Sequence, residues 1–137
     1  MGPYVHYTLT RRWAEQAGLG DVADRVARAD VGFDARYPGN GSLLNMTRHF
    51  APWTYVWGFV YARRALRTHS PEYLGWALHC LQDTAAHGVV LGLGHMRHRL
   101  GLRTSPDDSS LASERTRRQF AEVSRRLLAR YRERWPG

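Results

Sequence analysis

Apolar positions recur at helical spacing along most of this chain, in blocks separated by glycine, proline and serine. Leu9, Trp13 and Ala17 predict a first helix over residues 8–17, closed by Gly18 and Gly20, with His6 at its entry. Asp21 reads as the N-cap of a second helix reaching residue 36, with Val22, Val26, Ala29 and Phe33 on one face. Asp30 sits beside that apolar face and needs a partner there, whereas Asp24 and Asp34 read as solvated. A loop over 37–42 precedes a segment, 43–52, that carries His49.

The aromatics Trp53, Tyr55, Trp57, Phe59 and Tyr61 alternate as in a strand. Val56 and Val60, with Arg63, Arg64 and Arg67 on a polar face, predict instead a helix over 53–68, with the aromatic run read as core rather than as a dimer surface. Gly58 costs that helix about 1 kcal/mol relative to Ala. Ser70-Pro71-Glu72 marks a helix start, with Ser as cap, Pro in the first turn and an acid near the N-terminal dipole. The helix it opens runs through Leu74, Leu78 and Leu81 past His87, where Gly88, Gly92 and Gly94 end it. After a second loop over 101–108, a last helix starts at Ser110 or Ser113 and reaches Trp135, with an apolar stripe through Phe120, Val123, Leu127, Leu128 and Tyr131. No repeat or linker interrupts the chain. The expectation is one compact all-α domain over residues 1–137, of about five helices around a central one.

Composition adds three constraints. A chain of 137 residues, 43% hydrophobic, suffices for one core. The formal charge of +8 is carried by arginine alone, which suits anionic partners without choosing among them. No nucleic-acid motif accompanies it, and the arginines of the last helix follow its solvent face, so nucleic acid is disfavoured. Cys80 is the single cysteine, read as a packed thiol. The chain shows neither a signal-peptide pattern nor a membrane-spanning apolar run, which leads to the expectation of a cytoplasmic protein.

The central helix carries the chemistry. His79, Asp83 and His87 lie four apart, so two imidazoles and a carboxylate share one face of an otherwise apolar segment. Imidazole and carboxylate are the ligands of zinc. Four residues of helix climb about 6 Å, so His79 and His87 serve different ions more naturally than one, with Asp83 as a bridge. Gly75, one turn before His79, leaves open space on the ligand face. His6, His49, His95 and His98 remain as further donors.

The segment Ala77-Leu78-His79-Cys80-Leu81-Gln82-Asp83, followed by His87, resembles the central-helix signature of the zinc-dependent phospholipase C and single-strand nuclease superfamily. The order His6, Asp30, His49, central motif, His95 is also similar, over roughly residues 6–98. The resemblance implies that His49, His79 and Asp83 hold one zinc, that His6 serves a neighbouring zinc sharing Asp83, and that His87 and His95 serve a further one. It implies that Asp30 orients or deprotonates the attacking water. Where the superfamily has an N-terminal Trp ligand this chain has Met-Gly-Pro, and where it has a Glu four after the late histidine this chain has Arg99.

The resulting expectation is a zinc-dependent hydrolase of a phosphoester, with one to three zinc ions, metal-activated water, and Arg36 or Arg48 holding substrate phosphate. A metal-free member of the same fold, using its His and Asp groups for acid–base catalysis on a peptide or small molecule, is the alternative. An arginine-rich binding module for an anionic partner is the third reading.

Overall fold

The computed structural model describes residues 4–39, 41–49, 52–87 and 114–136. The protein is all-α: among these residues there are seven α-helices and no strand. A π-helical segment, Tyr4–Leu9, runs directly into α1 (Thr10–Gln16). Then come α2 (Ala23–Val31), α3 (Phe33–Arg36), α4 (Leu43–His49), α5 (Trp53–Thr68), α6 (Pro71–His87) and α7 (Glu114–Arg134). The count exceeds the expected five because the second helix breaks at Gly32 and the His49 segment is a helix of its own. The turn expected at Gly88 and the loop over 101–108 lie outside the described residues.

The central helix begins as its sequence implies. The Ser70 hydroxyl accepts a hydrogen bond from the Tyr73 amide at 3.2 Å, satisfying one of the orphan donors of the first turn. Three elements then cover α6, with α5 and α2 making the most extensive contacts and α7 completing the shell. Leu74, Ala77, Leu78 and Cys80 are all fully buried. Each buried leucine contributes roughly 1.5–3 kcal/mol of transfer free energy. From α7, Leu127, Leu128 and Tyr131 close the core, while Arg125, Arg126 and Arg130 stay in solvent. Cys80 is a packed thiol, and burial pushes its pKa up to about 12.

Two glycines set the helix separations. A Cβ on Gly75 would lie 2.4 Å from the Val26 carbonyl oxygen and 2.6 Å from the Ala29 Cβ. Gly75 is therefore the point where the α2 backbone sits directly on α6, not the open space on a ligand face that its position suggests. A Cβ on Gly58 would stand 3.0 Å from Leu81 Cγ, so Gly58 makes room for a side chain where α5 meets α6.

The aromatic run on α5 departs from expectation more widely. Tyr61 is buried and Trp57 half-buried, but Trp53, Tyr55 and Phe59 are exposed. At helical spacing, an alternating run cannot keep all its members on one face. Arg63, Arg64 and Arg67 are exposed as expected.

Gly75→Ala is expected to destabilise the protein by roughly 1–3 kcal/mol, because the methyl group meets backbone that cannot step aside. Gly20→Ala, where nothing lies within 4 Å of the added Cβ, is expected to stay within about 0.5 kcal/mol of wild type. Denaturant unfolding of the two variants measures both, and equal stability would mean that α2 is not seated on Gly75.

Candidate metal centre

The close approach at Gly75 brings the C-terminal end of α2 against α6 one turn before His79, and places Asp30 behind that imidazole. His79 Nδ1 donates to the Asp30 backbone carbonyl at 3.0 Å. His6, from the π-helical segment, donates its Nδ1 hydrogen to Asp30 Oδ1 at 2.7 Å. The two rings stack with centroids 4.2 Å apart. Asp30 is fully buried, and its second oxygen accepts from the Thr10 hydroxyl at 2.7 Å. Behind Thr10, Gln82 Nε2 donates to Thr10 Oγ1 and to Ser124 Oγ, both at 3.0 Å. A chain of buried polar contacts thus ties α7 and α1 to the His6–His79 pair, as buried polar groups require.

These contacts determine the tautomers. A carbonyl or an ionised carboxylate only accepts, so the ring nitrogen facing it must carry the hydrogen. Nε2 of His6 and Nε2 of His79 are then the lone-pair nitrogens of the neutral rings. His49, at the end of α4, follows the same rule with the ring reversed: Nε2 donates in a short hydrogen bond to the Tyr37 carbonyl, and Nδ1 is left. Pinning one imidazole nitrogen to an acceptor while the other points at a ligand position is the usual arrangement behind metal-binding histidines.

The three remaining nitrogens face carboxylates. His79 Nε2 stands 3.1 Å from Asp34 Oδ1 and 3.3 Å from Asp83 Oδ2. His49 Nδ1 stands 3.3 Å from Asp34 Oδ1, and His6 Nε2 stands 3.5 Å from Asp83 Oδ1. Although these oxygens are within reach, neither His6 Nε2 nor His79 Nε2 is in hydrogen-bond alignment with a partner, and both atoms are buried. A charge-assisted hydrogen bond would draw the pair to about 2.7–2.9 Å. Tetrahedral ligands about 2.0–2.1 Å from a zinc ion, by contrast, stand about 3.3–3.4 Å from each other. Two of the four separations, both 3.3 Å, fall at the second value, with 3.1 Å and 3.5 Å on either side of it. Asp34, His49 and His79 offer donor atoms all within 4.8 Å of one another, with Asp83 beside His79. His6, Asp30 and His79 also lie close together, but there the contacts are Nδ1 hydrogen bonds to Asp30, which support the rings instead of leaving donor atoms for an ion.

Charge follows geometry. Burial would lower the pKa of His79, but the facing Asp83 charge and the contacts with Asp30 and Asp34 raise it well above its ordinary value. Burial would likewise lower His6, and Asp30 holds it up. Burial would raise Asp83, yet His79 and His6 hold it well below the usual carboxylate range. Asp34, half-exposed, is pulled below its ordinary value by His79 against the opposing effect of burial. In metal-free protein, protons therefore take the place between imidazole and carboxylate.

The sequence candidates separate accordingly. His6, His49, His79 and Asp83 come together. Asp30 lies on the Nδ1 side of the rings with no opening to solvent, a placement that suits orienting the histidines and not meeting an attacking water. Arg48 is committed to the protein: it is buried, donates to Tyr61 OH, Leu44 O and Asn45 Oδ1, and its guanidinium carbon lies 4.3 Å over Tyr37 and 4.5 Å over Trp57. Arg36 is exposed and lies 4.9 Å over Trp76. The His87 backbone belongs to α6, but its side chain, and the whole of His95 and His98, lie outside the described residues. Asp34 is the residue the sequence reading missed. Its spacing of four from Asp30 hints at a shared side, but the two residues lie on separate helices either side of Gly32, so only packing shows that it joins the cluster.

No protein-family model, curated protein or solved structure matches this chain. Among the described residues no helix is long and apolar enough to cross a membrane.

The pH dependence of the metal-stripped protein tests this electrostatic picture. His79 has a raised folded-state pKa, so its contribution is complete below the unfolded histidine value of about 6.5 and is lost as pH rises through the folded value. Asp83 has a depressed one, so its contribution is complete above the unfolded value of about 3.9 and is lost as pH falls through the folded value. Thermal melts are expected to show greatest stability between about pH 4 and 6.5. The increment on adding zinc is expected to grow with pH, because the metal displaces protons. A zinc increment independent of pH would contradict proton–metal competition at these histidines.

Proposed function

We propose that this protein is a metal-dependent hydrolase in which Asp34, His49 and His79 hold a divalent transition ion, zinc best matching the donor set, with Asp83 beside His79. The observation that carries the metal reading is the spacing of 3.1–3.3 Å between nitrogens and oxygens of these residues, without hydrogen-bond alignment at His79 Nε2. The ion would supply Lewis-acid activation of water and charge stabilisation of a phosphoryl transition state. His6 stands ready on the other oxygen of Asp83 for a second ion. The chain's own contributions are positional. Asp30 fixes both His6 and His79, Tyr37 fixes His49 through its carbonyl, and Asp34 with His49 forms the side of the cluster that reaches solvent, where a substrate enters. Arg36, two residues beyond Asp34, is the cation available to an incoming phosphate. A phosphoester as substrate rests on the resemblance of the central motif and on the +8 charge.

The metal-free alternative draws on the same pair. His79 with a raised pKa beside Asp83 with a depressed one is an imidazolium–carboxylate couple that could move a proton.

Metal analysis of protein purified without chelator separates the two. The expected result is close to one equivalent or more of transition metal per chain. Less than about a tenth of an equivalent, with no uptake from added zinc, would remove the metal reading and leave the alternative. Asp30→Asn is expected to weaken zinc binding by about 10–100-fold through disordered ligands, and Asp34→Asn by at least as much through a lost one. Hydrolysis of bis(para-nitrophenyl) phosphate, abolished by chelator and restored by zinc, is the expected activity. Metal-loaded protein with no hydrolysis above background would sink the phosphodiesterase assignment while leaving the metal site standing.

A further inference from the structure

A wide concave surface among the described residues lies away from the His/Asp cluster. It is an open groove between α5 and α7, floored by Leu81 of α6, with a volume of about 1090 Å³ and none of the cluster residues in its lining. Its apolar wall includes Phe59 and Tyr55, which are 62% and 51% exposed, with Val123 and Leu127 across from them. Arginines line both lips: Arg63 and Arg67 on α5, and Arg126, Arg130 and Arg134 on α7. On each helix they recur every four residues, so they form two rows along the groove, with a step of about 6 Å. Arg126 pairs with Glu122. Among the described residues, Arg63, Arg67, Arg130 and Arg134 have no ion pair. Glu133 is the single acidic residue of this lining.

We infer that this groove docks an acidic amphipathic helix of a partner protein, its apolar stripe on Phe59, Leu81 and Leu127 and its carboxylates against the two arginine rows. Charge selects this occupant over the others. The chain's own residues 88–113 carry Arg97, Arg99 and Arg103 against Asp107 and Asp108, a net positive segment that the lips repel. A second copy presents the same difficulty, because none of the chain's helices apart from the enclosed α6 is net acidic. An anionic bilayer satisfies the charge, but a concave trough with arginines on both sides suits a rod between them better than a plane. An apolar stripe flanked by two polar rows is the pattern of a helix laid in a groove. The inference is independent of the metal centre.

A fluorescein-labelled synthetic helix tests it, with leucines at three- and four-residue spacing between rows of glutamate, titrated with the full chain and read by fluorescence anisotropy. Saturable binding that weakens with added salt is expected, unchanged by chelator. The double variant Arg63→Glu/Arg130→Glu is expected to lower affinity at least about tenfold, and Phe59→Ser to lower it too. All three positions are solvent-exposed, so the fold is retained. A peptide of the same composition in scrambled order is expected not to bind. No saturable binding, equal binding of the scrambled peptide, or wild-type affinity in both variants would overturn the inference. So would two positive results for other occupants in the absence of peptide binding. One is cosedimentation with phosphatidylcholine–phosphatidylglycerol vesicles that the arginine variant abolishes, which would assign the groove to a membrane. The other is a dimer in sedimentation velocity that Phe59→Ser dissociates, which would assign it to a second copy.

Discussion

Asp30 is a carboxylate with no access to water, and the site is built around satisfying it. One oxygen takes the His6 Nδ1 hydrogen, the other takes the Thr10 hydroxyl, and the backbone carbonyl of the same residue takes the His79 Nδ1 hydrogen. Leaving a charge of this kind unpaired in the interior would cost several kcal/mol. The three contacts remove that cost and orient two imidazoles at once. Because Asp30 only accepts at these atoms, the opposite nitrogen of each ring is turned toward Asp34 and Asp83. A stability requirement and a functional geometry are met by one residue.

That arrangement depends on how closely two helices can approach. Gly75 lets the α2 backbone rest on α6, and any side chain there would hold Asp30 away from His79. Beyond Gly32, α3 carries Asp34 at the outer edge of the cluster, where it faces both His79 and His49. Where α5 meets α6, Gly58 leaves room for the Leu81 and Cys80 side chains. The central helix is thus held between two glycine contacts, and its His and Asp side chains emerge where the packing leaves them polar neighbours.

The molecule separates its titratable cluster from the groove between α5 and α7. Among the described residues, the titratable cluster is buried and reaches solvent at Asp34 and His49. The groove between α5 and α7 is apolar in its floor and basic at its lips. The excess of arginine is therefore not spread evenly over a solvated surface: part of it is arranged in rows beside exposed aromatic rings.

The sequence by itself determined the all-α class, the start of α6 at Ser70-Pro71, the span of α5, and the co-orientation of His79 and Asp83, because these follow from helical periodicity and local capping within a few residues. Which distant groups meet them was decided by tertiary packing. Periodicity marks Asp30 as in need of a partner but cannot say that two histidines and Thr10 supply it. Nor can it show that Gly75 is a contact with α2, that Arg48 is sealed between Tyr37 and Trp57, or that Trp53, Tyr55 and Phe59 stay in solvent. Asp34 was the sharpest case. On a helix expected to run unbroken to residue 36 its side chain reads as solvated, and only the packing shows that it faces two imidazoles. Those facts depend on interhelical distance and direction, which a one-dimensional pattern of polar and apolar residues does not carry.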